Sequence, residues 1–158
     1  MAEERLITES MRAQVGRQIN SKVVRIDQRM VDQYLEATGD PNPVWRDKAA
    51  AIQAGYGDVP VPPGLLTTMQ MEGDSPSLHM PEQAHLGGAV DGGGEWEFIH
   101  PVYVGDVISV SRKLSEIKER QGKLGGMILN SFEVTYLNQR SVLVTKSRWT
   151  TVRYSTEK

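Results

Sequence analysis

Hydrophobic positions change their period along this chain, helical in the first half and strand-like in the second. Met30, Val31, Tyr34, Leu35 and Ala37 recur at the three-and-four spacing of one helix face. Asp27 stands where an N-cap belongs and Gly39 where a glycine stops a helix, so a helix is predicted between them. Asp47 is a second candidate cap, for a short helix running to Ala54. The crossing 55–63 carries three prolines, which excludes regular structure there. Pro63 then opens GLLTTMQM, a stretch apolar on nearly all sides, which predicts a buried central helix. Ahead of these elements, residues 11–19 read as a helical turn or two, and SKVVRI at 21–26 as a short strand.

Residues 72–94 are rich in Gly, Pro, Ser and His without a clear period, and read as a long loop. Alternation or β-branched enrichment then predicts strands at 95–99, 106–117, 127–136 and 142–154. QGKLGG at 121–126 and LNQRS at 137–141 supply turns between neighbours, so pairing is expected to be antiparallel and in sequence order. Such a sheet must bury one face, and the helix from Pro63 is the segment suited to fill it. The predicted class is α+β: one domain over 1–158, an antiparallel sheet wrapped around a central helix.

Composition removes several functions from consideration. The 158 residues suffice for one ordinary domain with a real core. Eighteen basic against 20 acidic residues, net charge −2, give no basic face for a nucleic-acid backbone. The absence of cysteine rules out disulfides, thiolate metal sites and a cysteine nucleophile. The N-terminus MAEERLITES lacks the basic-then-apolar order of a signal peptide, and charged residues interrupt every apolar run, so no membrane span is predicted and a cytoplasmic location is expected. No pair of histidines has the spacing of a metal-binding helix, so no metal is predicted. The glycines at 92–94 lack the Lys-Ser/Thr ending of a phosphate loop.

The densest chemistry lies in TGDPNPVWRDKAAAIQAGYGDVPVPPGLL at 38–66, which sets a carboxylate, an amide and a helix start close together. Its ATGDPNP and GYGDVPVPPGLL, with EFIHPVYVGDVISV and the LNQRSVLV hairpin, resemble the MaoC-like dehydratase and hydratase family over nearly the whole chain. The likeness is greatest to its N-terminal-type domains, related to a dehydratase region of fungal fatty acid synthase. It implies a hot-dog fold acting on acyl thioesters. Catalytic members carry a pattern like GDxNPxH; here Asp40, Asn42 and Pro43 match, and Trp45 replaces the histidine.

That replacement bears on the chemistry. Adding water to a 2,3-enoyl thioester needs an acceptor for the water proton, a donor to the α-carbon, and donors for the enolate-like oxygen. The family uses an Asp/His pair to hold the water and backbone amides at the buried helix start as oxyanion donors. By resemblance those amides lie around Gly64 and Leu65, with Pro63 beside them in the substrate-binding set, and glycine lets a thioester approach closely. Asp40 alone orients a water, but loss of one proton-transfer partner costs about 10²- to 10⁴-fold in rate. An indole only donates hydrogen bonds, so Trp45 does not replace the histidine chemically.

Each residue also has a plain structural reading. Asp40 between Gly39 and Pro41 is a natural turn residue, and Asn42 before Pro43 braces the same loop. Trp45 lines an acyl pocket or packs at a subunit contact. His79, His85 and His100 are the remaining proton-transfer candidates, although a lone histidine is more often structural. Lys22, Arg46, Lys48 and Arg112 are scattered, as on a solvated face, and none is assigned to coenzyme A.

The expectation is therefore a subunit of an enoyl-CoA hydratase or 3-hydroxyacyl-thioester dehydratase. It takes a coenzyme A thioester as substrate with no cofactor, and forms a homodimer or a heterodimer with a dyad-bearing MaoC-like subunit. The alternative is a non-catalytic acyl-CoA-binding hot-dog protein. A thioesterase, with Glu72 activating water from the far end of the central helix, ranks third.

Overall fold

The computed structural model describes residues 6–69, 81–83, 86–122 and 125–155. Its elements run α1 (Glu9–Arg12), β1 (Gln18–Arg25), α2 (Gln28–Thr38), α3 (Lys48–Gln53), α4 (Pro63–Thr68), β2 (Gly88–Phe98), β3 (Val107–Gly122), β4 (Gly125–Leu137) and β5 (Leu143–Tyr154). The helix boundaries follow the capping residues. The Asp27 carboxylate accepts from Met30 N at 2.9 Å to open α2, and Gly39 closes it in the left-handed conformation. Asp47 caps α3 in the same way, accepting from Ala50 N at 2.7 Å.

Every strand pair is antiparallel, in the order β1-β3-β4-β5-β2. Three expectations of the chain path need correction. The helical turns read over 11–19 are confined to Glu9–Arg12, and β1 already begins at Gln18. The loop predicted through residue 94 ends earlier, because β2 begins at Gly88 and takes in the three glycines. Strand β2 also does not pair with its sequence neighbour β3. It crosses to the far edge and pairs with β5, so only β3, β4 and β5 follow in sequence order. A bulge interrupts β2 between Asp91 and Gly94, where Gly92 and Gly93 oppose the single residue Thr150. Gly93 has φ +97°, which side-chain-bearing residues rarely adopt.

One face of the sheet closes on α4. Leu65, Leu66 and Met69 are buried there against Ile108 and Val110 of β3 and Val134 of β4. Each of these side chains contributes about 1.5–3 kcal/mol by leaving water. Inward positions on β3 alternate Ile108, Val110, Arg112 and Leu114, so Arg112 is buried rather than on the solvated face expected of it. Tyr136 on β4 lies fully buried across the ladder from Thr145, and neither hydroxyl has a hydrogen-bond partner among the described residues. Burial pushes the Tyr136 phenol well above its ordinary pKa, against a smaller opposing effect of the Arg112 cation. Among the described residues no helix is long and apolar enough to cross a membrane.

The crossing 55–62 is pinned against the entry to β3, where Val61 N donates to Val102 O at 2.7 Å and Pro60 bridges Tyr103. Asp106 holds that corner by accepting from Tyr103 N and from Gln139 Nε2, at 2.9 and 2.8 Å. The prolines before α4 are thus set beside the end of β2, and the two walls of the site are fixed.

Candidate functional site

Helix α2 stops at Gly39 and delivers Asp40 into a tight loop. One carboxylate oxygen, Oδ1, accepts from Asn42 N at 2.9 Å, and the other, Oδ2, accepts from the Trp45 indole Nε1 at 2.9 Å. Arg46 Nη1 donates to the Asp40 carbonyl at 2.7 Å. Asn42 caps the short 3-10 turn Pro43–Trp45, its Oδ1 accepting from Val44 N at 3.1 Å. Asn42 is therefore a brace, as the turn chemistry of Asn-Pro suggested. Trp45 stands next to Asp40, with its N–H committed to the carboxylate, and it carries no lone pair for a proton. The Asp40–Trp45 pair is thus joined by a hydrogen bond in which the indole is the donor and has no site to accept a proton.

Trp45 is half-buried and packs against the main core. With Pro63 it lines a cleft of about 220 Å³, together with Tyr56, Leu66, Phe98 and His100. The structure thus joins Trp45 and Pro63, and adds His100 from the end of β2. His79, His85 and Glu72 lie outside the described residues. The larger hollow of about 650 Å³ over β2, β4 and β5 touches none of these groups, and its charged lining includes Lys146 and Glu97, paired at 2.8 Å.

The helix start is less open than the resemblance implies. Leu65 N donates to Pro62 O at 2.9 Å, so this amide is committed within the chain. Tyr34, reaching over from α2, fills the space that a side chain on Gly64 would take. A Cβ there would collide with the Tyr34 hydroxyl and lie 3.0 Å from its Cζ. The glycine is explained by this packing, without any thioester. Sequence reasoning placed Tyr34 only on the apolar face of α2; nothing in the pattern sets residue 34 against residue 64. Of the scattered cations, Arg46 serves the Asp40 loop, and Lys48 forms an exposed pair with Asp58 at 3.3 Å.

A twisted antiparallel sheet around one buried helix, with an Asp-bearing loop beside the helix start, defines the hot-dog class of the MaoC-like dehydratases and hydratases. The chain belongs to the FAS1-like dehydratase domain region family, whose model matches residues 13–147. It is 33% identical over 93 residues to a UPF0336 protein of Thermobifida fusca (strain YX), covering 58% of this chain and 61% of that protein. It is 29% identical over 144 residues to a probable enoyl-CoA hydratase alpha subunit of Thermomonospora curvata, covering 82% of this chain and 45% of that one. The chain thus spans about half to three fifths of the length of these two relatives. Its fold matches a chain of the ChsH1-ChsH2 complex from Mycobacterium tuberculosis with a TM-score of 0.77 at 21% identity, over 89% of this chain and 86% of that one.

Proposed function

We propose that this chain is the acyl-thioester-holding subunit of an enoyl-CoA hydratase or 3-hydroxyacyl-thioester dehydratase, working beside a partner that supplies the Asp/His dyad. The observation that carries the reading is the 2.9 Å bond from Trp45 Nε1 to Asp40 Oδ2. Hydration needs a group that accepts a proton from water and returns one to carbon. Here the carboxylate is tied to two donors of its own loop, and the neighbouring ring cannot accept a proton. Commitment of Leu65 N and the covering of Gly64 by Tyr34 likewise argue against catalysis by this chain alone. A subunit role is supported by one relative named a probable enoyl-CoA hydratase alpha subunit and by a fold neighbour from a two-chain complex. In this reading the subunit binds a coenzyme A thioester, uses no cofactor and works in the cytoplasm.

The test is hydration of crotonyl-CoA and a longer enoyl-CoA by the purified protein, beside Asp40→Asn. No turnover above background is expected from either. Turnover that disappears in the variant overturns the partner dependence and makes the chain an enzyme in its own right. Acyl-CoA binding by the chain, with no partner ever restoring hydration, favours the alternative of a non-catalytic acyl-CoA-binding protein.

A further inference from the structure

The joined ends of β3 and β4 carry a core of their own. Ile7 and Met11 from the N-terminal segment and Leu86 from just before β2 are buried against Ile117 of β3 and Ile128 of β4, and none of the five belongs to the cluster around α4. Two segments distant in sequence meet there, and adjacent side chains of the turn Pro81–Gln83 tie them together from opposite sides. Glu82 Oε1 accepts from Ser10 Oγ at 2.6 Å, while Gln83 exchanges two hydrogen bonds, of 3.1 and 2.8 Å, with the buried Asn130 amide of β4. The turn is thus held between the N-terminal segment and the sheet. Helix α1, with four residues, is far too short to be stable by itself. It depends on its two buried side chains and on contacts such as the 3.1 Å bond from Leu6 N to Glu119 Oε2.

The chain that leaves this core into β2 is weakly held. Ala89, Val90 and Asp91 are exposed, and the bulge at Gly92 and Gly93 separates the pairing of Gly88–Asp91 with Thr151–Tyr154 from that of Gly94–Phe98. Glycine in the left-handed region at 93 suits a hinge, since the backbone turns there without side-chain strain. Thr151 Oγ1 and Arg153 Nε, on the part of β5 paired with Gly88–Asp91, are buried with no hydrogen-bond partner among the described residues. Water reaching them offsets part of the cost of opening. We infer that residues 6–12 together with 81–83 and 86–91 form a latch that opens as one unit about the bulge. Opening uncovers the inner face at Asn130, Thr151 and Arg153, while Gly94–Phe98 and the Trp45 loop stay in place. Segments that move in function come from the least stable parts of a fold, which is where this latch lies. The device is independent of the acyl-thioester reading.

The experiment is native-state amide hydrogen exchange of the full chain, resolved residue by residue by NMR. The amides of Ala13 and Leu86, which donate to Glu9 O and Gln83 O at 2.9 and 3.0 Å, report the two segments. In the wild type they are expected to share one opening constant with the ladder-bonded amides of Gly88–Asp91. That constant should exceed the one for Gly94–Phe98 by about tenfold or more. Met11→Ala is expected to speed exchange at Leu86 by the same factor as at Ala13, about 30-fold or more. Leu86→Ala is expected to speed Ala13 in return. Ser10→Ala leaves the apolar core intact and is expected to give about twofold to fivefold at both amides, so the test stands even where a core variant does not fold. Equal opening constants on the two sides of the bulge overturn the hinge and with it the latch. Variants of Met11 or Ser10 that speed Ala13 and leave Leu86 unchanged overturn the joint opening.

Discussion

Trp45→Phe removes the indole N–H and keeps most of the aromatic packing, so it isolates the contact that separates this chain from a dyad-bearing one. A hydrogen bond to a charged acceptor contributes about 1.5–3 kcal/mol when buried. Both partners here are only partly buried, which lowers the expected contribution to about 1–1.5 kcal/mol. Loss of ring contacts against the core adds about 1 kcal/mol. The variant should therefore lose about 2–2.5 kcal/mol, a fall in Tm of about 4–10 °C for a chain of this length. In an Asp40→Ala background the acceptor is gone, and Trp45→Phe should cost only the packing part, about 1 kcal/mol. Urea unfolding followed by far-ultraviolet circular dichroism on the four proteins gives the coupling directly. A cycle that closes to within about 0.5 kcal/mol refutes the hydrogen bond as the reason that Trp45 and Asp40 stay together.

Two further outcomes follow from the packing. Gly64→Ala should destabilise by about 1–3 kcal/mol through overlap with the Tyr34 hydroxyl, offset in part by about 0.5–1 kcal/mol of helix propensity. Tyr34→Phe should relieve much of that loss, and an equal cost in both backgrounds, by denaturant midpoint, counts against the covering of Gly64. At the β2 bulge, the Trp149 indole N–H, and after it Gly93 N, hold the Asp91 carboxyl below its ordinary value of 3.8. A depressed folded pKa means that the stability from Asp91 is present above the ordinary value and is lost as pH falls through the lowered one. The difference in denaturant midpoint between wild type and Asp91→Ala should therefore be full at neutral pH and shrink in acid, and a constant difference across that range would falsify the linkage.

The legible parts of the fold were those written locally. Asp27, Gly39, Asp47 and Pro63 each act within a turn of their own position, and each bounds its helix where the pattern placed it. Strand β2 was half missed because Gly88–Gly94 has poor strand propensity; those residues are held extended by the ladder to β5, more than 50 positions away. The same non-local pairing defeated the expected strand order. In the site, Asp40 and Trp45 are five residues apart, and their adjacency was implicit in the loop. Tyr34 over Gly64 and His100 beside Trp45 come from tertiary packing, for which the sequence pattern carries no period to read.

The bulge in β2 has a consequence on the side of that strand facing away from β5. Among the described residues β2 ends the sheet, with its outer backbone groups unpaired by any strand. The extra residue among Asp91–Gly94 puts the donors and acceptors before the bulge out of phase with those after it. An unrelated extended peptide, whose groups repeat every second residue, can match one half or the other, and either half is too short to hold it. Only a strand with a compensating irregularity gains the full length. Such a break in phase disfavours indiscriminate strand addition, by backbone geometry rather than by charged side chains.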